Sequence, residues 1–130
     1  MNSYYSCLDS LLTTPQAEQH YWIKQMAEKK NGQVVFYGAE EYFVSNFQPF
    51  ILNKLKRTPN LNGVIFFTID QFCYGKKLNI SLMIEIIKTG LSIHFAREKI
   101  SILNNNQLEE QYLELLSYYH CKKNNMYLVH

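Results

Sequence analysis

The feature that most constrains this sequence is the segment from Pro59 to Phe72, in which a turn is followed by an unbroken apolar run that ends at Asp70. An apolar run without polar alternation is typical of a strand whose sheet is covered by helices on both faces. In open sheets of this kind, ligands bind in the crevice beyond the carboxyl ends of the strands. We therefore predict a buried strand over residues 63–69 and expect any functional site to lie near Asp70.

The rest of the chain predicts alternating strands and helices, because apolar stretches and helical stripes are separated by turn residues. Strands are predicted over residues 3–8, 33–37, 63–69, 91–96 and 99–103, helices over residues 15–30, 47–57, 78–89 and 107–120, and a loop over residues 70–77. Such alternation implies parallel pairing through right-handed crossovers. The predicted fold is an α/β three-layer sandwich with a mainly parallel sheet of four to five strands. The strand order is 2-1-3-4, and the fifth strand is a candidate antiparallel edge.

The length of 130 residues and an apolar content of 47% suit one domain with its own core. We assign residues 1–120 to that domain and predict a loosely ordered tail over residues 121–130. No apolar run approaches the roughly 20 residues that cross a bilayer, and the first residues lack the pattern of a signal peptide. Three cysteines without a C-x-x-C spacing suggest reduced thiols. These features predict a cytoplasmic protein without a membrane partner.

Charge and ligand spacing exclude two further classes of function. The net charge of +2 is too small to favour nucleic acid as a partner. The histidines and cysteines do not occur at the spacings of a zinc site, so no metal is predicted. His94 lies between Ile93 and Phe95 in a predicted strand, and we interpret it as a hydrogen-bonded core residue. No cofactor is predicted either.

Polar residues near the carboxyl ends of the predicted parallel strands are the candidate ligand-binding residues. They are Ser6, Asp9 and Ser10 at the end of strand one, Glu40 after strand two, Asp70 and Gln71 after strand three, and Arg97 and Glu98 after strand four. Together they could bind a sugar hydroxyl or a phosphate at the strand ends. Structural roles remain open for each of them, as turn residues, a solvated loop or an internal ion pair. No catalytic residue is assigned.

Several segments resemble the catalytic domain of serine recombinases, the resolvases and invertases. The similar segments are Pro15-Gln16-Ala17-Glu18-Gln19, Asn62 to Asp70 and Gly90-Leu91-Ser92-Ile93-His94-Phe95, and the element order agrees over most of residues 3–116. The resemblance implies the same fold and a serine nucleophile in the region of Ser6 or Ser10, beside several arginines. The arginine positions hold Tyr4, Leu8, Gln71 and Tyr74. Because phosphoryl transfer depends on such cations, recombinase activity is not expected.

The recombinase resemblance also implies a partner. Recombinase-like domains commonly associate through their late helices. The last predicted helix carries Tyr118 and Tyr119 beside a sparse apolar stripe. Tyrosine is enriched in the cores of interfaces. We therefore expect a homodimer formed through the C-terminal helix.

A second resemblance covers the chain end to end. Pro15-Gln16 with Gln19, residues 59–71, and His94-Phe95-Ala96 with Glu98 are similar to the sporadic carbohydrate cluster family, small bacterial proteins found in loci for lipopolysaccharide and other surface polysaccharides. One position departs from that family, because Cys7 follows Ser6 where the family has arginine. The resemblance implies a cytoplasmic accessory protein of surface-polysaccharide biosynthesis that binds a sugar nucleotide or a biosynthetic enzyme. Two alternatives stay open: a carbohydrate-modifying enzyme with its site at the strand ends, and a catalytically dead recombinase-like domain.

Overall fold

The structure, a computed structural model, describes residues 1–39, 50–74 and 77–128. In chain order the elements are β1 (Asn2–Leu8), α1 (Gln16–Lys29), β2 (Gly32–Ala39), α2 (Phe50–Arg57), β3 (Gly63–Phe66), a 3-10 turn (Ile69–Phe72), a short hairpin (Cys73–Tyr74 with Lys77–Leu78), α3 (Ile80–Lys88), β4 (Ser92–Phe95), β5 (Ile100–Ile102) and α4 (Asn105–Leu128). Among these described helices, none is both long and apolar enough to cross a membrane.

The central sheet has the strand order β2-β1-β3-β4-β5. The first four strands are parallel to one another, and β5 pairs antiparallel with β4. Helices pack on both faces of the sheet, so the predicted three-layer α/β sandwich is confirmed, including its strand order and its antiparallel edge. Parallel strands end at the same edge of a sheet, which places the carboxyl ends of β1, β2, β3 and β4 along one rim.

The core is divided by the sheet into two apolar clusters of unequal size. The larger cluster joins the sheet to α2, α3 and α4, and includes Val64 and Phe66 of β3. The smaller cluster lies under α1 and includes Ile65 of the same strand. Successive side chains of a strand point to opposite faces. The unbroken apolar run in β3 is therefore explained by burial on both faces.

The helix termini have local causes. Asn79 Oδ1 accepts a hydrogen bond from the backbone N–H of Leu82 at 3.1 Å and begins α3. Gly90 ends that helix with a φ of 89°, a left-handed conformation that glycine adopts without steric cost. Asn104 Oδ1 accepts a hydrogen bond from the backbone N–H of Gln107 at 2.9 Å at the start of α4.

Three predicted boundaries were wrong. The strand predicted over 63–69 ends at Phe66, and the predicted loop after it contains the 3-10 turn and the hairpin. Thr68 causes the first difference, because its hydroxyl oxygen accepts a hydrogen bond from the N–H of Asp70 at 3.3 Å and begins a turn. The last helix, predicted to end near His120, continues to Leu128. Residues 121–128 contain neither glycine nor proline to stop it.

The two faces of the sheet are covered unequally, and this asymmetry shapes the molecular surface. On the smaller side α1 packs against β1, β2 and β3. The side chains of β4 and β5 that point to this side are polar: Ser92, His94 and Ser101 alternate with residues of the larger apolar cluster. The surface between α1 and the antiparallel edge of the sheet is open on this side.

Candidate functional site

The first rim loop, between β1 and α1, is closed by the side chain of Gln19. The Gln19 Nε2 donates hydrogen bonds to the backbone oxygens of Asp9 at 3.0 Å and Thr14 at 2.9 Å, and its Oε1 accepts one from the Asp9 N–H at 3.3 Å. Gln19 is fully buried. Asp9 Oδ1 accepts a further hydrogen bond from the N–H of Leu11 at 2.9 Å. Asp9 thus acts as a turn residue in this structure.

The loop after β3 is joined to β1 by Gln71. Its Oε1 accepts a hydrogen bond from the N–H of Thr68 at 3.1 Å, and its Nε2 donates one to the backbone oxygen of Cys7 at 3.1 Å. With the bond from the Asp70 N–H to the Thr68 hydroxyl, this arrangement is a capping box on the 3-10 turn. Because Gln71 is buried, its amide links the turn after β3 to β1 and does not face solvent.

A polar cluster connects the ends of β3 and β4. Glu98 accepts hydrogen bonds from the Thr68 hydroxyl at 2.6 Å, from the Ile69 N–H at 3.1 Å and from Arg97 Nε at 3.1 Å. The second guanidinium nitrogen of Arg97 contacts Asp70 Oδ2 at 3.1 Å. We call Thr68, Asp70, Arg97 and Glu98 the rim cluster.

The rim cluster combines a buried carboxylate with a half-exposed cation. The side chain of Glu98 is 5% exposed and that of Arg97 is 49% exposed. Partial burial lowers the pKa of Arg97, but the charges of Asp70 and Glu98 outweigh it, and the pKa is raised above its usual value. The guanidinium therefore stays charged, and it also lies 5.9 Å from the centre of the Phe67 ring.

The candidate residues from the sequence do not form one site. Asp70, Arg97 and Glu98 come together in the rim cluster, and Gln71 lies behind it. Ser6 lies inside β1, where its hydroxyl is fully buried and has no hydrogen-bond partner in the part of the chain that the structure describes. Ser10 is exposed in the loop after β1. Glu40 lies outside the described residues.

Thr68 was not among the candidates from the sequence, although it is the centre of the rim cluster. Its signal is local, because Thr68 and Gln71 have the spacing of a capping box, Thr-x-x-Gln. Gln19 appeared only in the two resemblances, and no local pattern in the sequence indicates that its amide spans the β1–α1 loop. Within the described side chains, no group of three or more histidine, cysteine, aspartate or glutamate residues could hold a metal ion.

A second polar group lies on the α1 side of the sheet. His94 is buried, and its Nδ1 and Nε2 each lie 2.8 Å from a serine hydroxyl, those of Ser101 and Ser92 respectively. Ser92 also donates to the backbone oxygen of Asn62 at 3.2 Å. We assign the tautomer in which the Nε2–H of His94 donates to Ser92 and the Ser101 hydroxyl donates to Nδ1, because it leaves the Ser92 proton for the Asn62 oxygen. The predicted hydrogen-bonded core histidine is confirmed.

Comparison with known proteins supports the fold and does not identify a family or a function. No protein-family model and no curated protein match this chain. The chain is similar to a resolvase family site-specific recombinase from Streptococcus pneumoniae, with a TM-score of 0.61 and 12% sequence identity over 98% of this chain and 92% of that one. At this identity the likeness establishes a resolvase-like fold.

Proposed function

We propose that this protein is a cytoplasmic accessory protein of bacterial surface-polysaccharide biosynthesis that acts by binding a sugar nucleotide. The resemblance of its motifs to the sporadic carbohydrate cluster family supports the pathway. Three residues that carry this resemblance, Gln19, Gln71 and Glu98, make the hydrogen bonds that close the rim loops. These motif residues therefore fix the conformation of the loops at the strand ends.

The arrangement of the rim cluster argues against phosphoryl transfer. The described polar side chains between β3 and β4 are bonded to one another, and Ser6, a candidate for the nucleophile, is fully buried. A nucleophile needs an approach path and a nearby base or a lowered pKa. Arg97 is the cation of the rim cluster, and its charge is balanced by two carboxylates at 3.1 Å. These bonds stabilise the positions of the turn after β3 and the residues after β4 relative to each other.

The proposal predicts that a sugar nucleotide stabilises the protein. A ligand at ten times its dissociation constant adds about 1.4 kcal/mol to the free energy of unfolding, which corresponds to a rise of roughly 5 °C in Tm for a domain of this size. Thermal unfolding with 1 mM UDP-glucose, GDP-mannose and dTDP-glucose measures this rise, with free glucose and a short duplex DNA as controls. Chromatography of the mixtures after overnight incubation should recover the sugar nucleotide unchanged.

Other results of these experiments would favour one of the two alternative functions. A rise in Tm with duplex DNA alone would favour the dead recombinase-like domain. Consumption of the sugar nucleotide would favour the carbohydrate-modifying enzyme, and the Asp70→Asn variant would then show whether the rim carboxylate takes part. If none of the three sugar nucleotides changes Tm, the proposed ligand class is wrong.

A homodimer through α4 is part of the same proposal. Leu115 and Leu108 pack into the core, whereas Leu113 is 77% exposed and Tyr112 is 42% exposed on the outer side of the helix. The side chains of Tyr118 and Tyr119, which suggested the interface, lie outside those that the structure describes. In the proposed dimer the partner covers Tyr112 and Leu113, and tyrosine is enriched in the cores of interfaces.

We expect the wild-type protein to sediment as a dimer at about 50 µM and the Leu113→Lys variant to sediment as a monomer. A lysine at the centre of an apolar interface would leave a charge without a partner, which is unfavourable by several kcal/mol. Analytical ultracentrifugation measures both, and Glu109→Gln, at an exposed position on the same helix, is the control because it changes the charge by the same one unit. A wild-type protein that sediments as a monomer at this concentration would contradict the proposal.

A further inference from the structure

A cleft of about 310 Å³ lies beside α1, in the space left by the unequal covering of the sheet. Its walls include Tyr21, Trp22, Lys29 and Lys30 from α1, and Lys99 from the turn between β4 and β5. Ser101, which is bonded to His94, also lines it. Ligand pockets in proteins usually have volumes of about 300–1,000 Å³, so this cleft suits a small molecule.

The charge of the cleft favours an anion. Three lysines line it, and the lining residues include no aspartate or glutamate. Lys29, Lys30 and Lys99 form no ion pair with any residue that the structure describes. His94 adds no positive charge at neutral pH, because burial and the charge of Lys30 lower its pKa to about 4. Three cations that line one cleft without a carboxylate among its lining residues would be stabilised by a phosphate group.

The two aromatic residues that line the cleft favour a ligand with a flat ring. Tyr21 is 57% exposed and Trp22 is 39% exposed, and their rings meet edge to face with centroids 5.9 Å apart. Exposed aromatic rings at the edge of a cleft present surfaces on which a flat ring can stack. Aromatic faces beside basic residues are the arrangement by which proteins stack nucleobases and hold the attached phosphates.

We propose that this cleft is a nucleotide site. Lys29, Lys30 and Lys99 hold the diphosphate, and the ring of Tyr21 or Trp22 stacks on the base. The identification of the nucleotide as a sugar nucleotide rests on the proposed function, whereas the location of the site does not. A single nucleotide is favoured over single-stranded nucleic acid because the cleft is short and the net charge of the chain is only +2.

Trp22 provides an intrinsic fluorescent probe for this site. Trp22 is the single tryptophan of the chain, so its fluorescence reports on the cleft alone. Titration with UDP, excited at 295 nm, is expected to quench this fluorescence. Uridine and inorganic pyrophosphate, each of which offers half of the recognised chemistry, are expected to bind at least tenfold more weakly than UDP. Isothermal titration calorimetry gives the same dissociation constants without relying on tryptophan.

A double variant, Lys29→Ala with Lys99→Gly, is expected to raise the dissociation constant for UDP at least tenfold. Lys99 has a φ of 60°, which glycine adopts more readily than lysine does, so this change does not endanger the fold. The matched control is Lys24→Ala with Lys54→Ala, which removes two exposed lysines from outside the cleft. Circular dichroism and Tm confirm that both double variants are folded.

The possible results separate this inference from the proposed function. Equal affinity of both double variants for UDP, with wild-type binding intact, overturns the nucleotide cleft and leaves sugar-nucleotide binding at another place. Binding of UDP that depends on Lys29 and Lys99, without binding of any sugar nucleotide, supports the cleft and overturns the proposed function. An octathymidylate that binds a hundredfold more tightly than UDP overturns the cleft as a mononucleotide site. Failure of wild type to bind UDP overturns it as well.

Discussion

The Gln19→Leu variant is expected to lose about 3 kcal/mol of its free energy of unfolding. Leucine fills nearly the same volume but cannot replace the hydrogen bonds to the backbone of Asp9 and Thr14. These backbone groups are enclosed by the β1–α1 loop, and each buried polar group that is left unsatisfied costs about 1–3 kcal/mol. Because small domains have total stabilities of only about 5–15 kcal/mol, a loss of this size is readily measurable at neutral pH.

Urea unfolding followed by circular dichroism measures the Gln19 effect. Gln16→Leu is the matched control, because Gln16 is the same residue type on the same helix but is exposed, and its replacement should change stability by less than about 0.5 kcal/mol. A loss below about 1 kcal/mol for Gln19→Leu would show that the amide does not hold the loop. The rim would then depend on the bonds of Gln71 and Glu98.

The second large effect is a loss of stability in mild acid that depends on His94. Burial, assisted by the charge of Lys30, lowers the pKa of this histidine from 6.5 to about 4 in the folded protein. Between these two values the unfolded chain binds more protons than the folded one, so the free energy of unfolding falls as the pH falls from about 6.5 to about 4. At 1.36 kcal/mol for each pKa unit, the full loss is about 3 kcal/mol.

The structure explains why protonation of His94 is unfavourable. The ring is enclosed by Tyr4, Ser92 and Ser101, and Ser101 donates its proton to Nδ1 in the neutral state. A protonated ring would present a second N–H to Ser101, whose hydroxyl would have to rotate and accept it. The positive charge would also lie in the field of Lys30.

Comparison of wild type with His94→Asn isolates this effect from the carboxylates that titrate in the same range. Urea unfolding at pH 7 and pH 4.5 should show a smaller decrease for His94→Asn than for wild type, by about 2 kcal/mol or more. A carbon-bound proton of the imidazole, followed by NMR, should titrate near pH 4. An imidazole that titrates near 6.5, or equal decreases in the two proteins, would contradict the prediction.

The fold was more predictable than the site. The fold depends on patterns within short segments of the sequence, whereas the site depends on contacts between residues that are far apart in the sequence. The buried strand 63–66 is recognisable within four residues, since helices on both sides of the sheet exclude polar side chains from it. The order of the strands follows from the alternation of strands and helices, which leaves few right-handed topologies. Boundaries were less accurate at residues 67–72. There the hydroxyl oxygen of Thr68 accepts a hydrogen bond from the backbone N–H of Asp70, which favours a turn over continuation of the strand.

The open surface beside α1 also has a signal in the sequence. In Ser92-Ile93-His94-Phe95 and Ile100-Ser101-Ile102, apolar residues alternate with polar ones. Alternation with period two is typical of a strand with one face in the core and one face in a polar environment. It therefore indicates that β4 and β5 differ from β3, which is apolar on both faces.

By itself the sequence determined where strands and helices form, and that the first four strands are parallel, because these features depend on the apolar pattern of short segments. Only the tertiary structure decided which polar groups meet. Glu98 reaches Thr68 and Ile69 about 30 positions away, Gln71 reaches Cys7 across 64 positions, and α1 brings its lysines and aromatic rings beside Lys99. Hydrogen bonds and ion pairs act over about 3–4 Å, and the distance between such groups is set by the packing of whole elements rather than by local pattern.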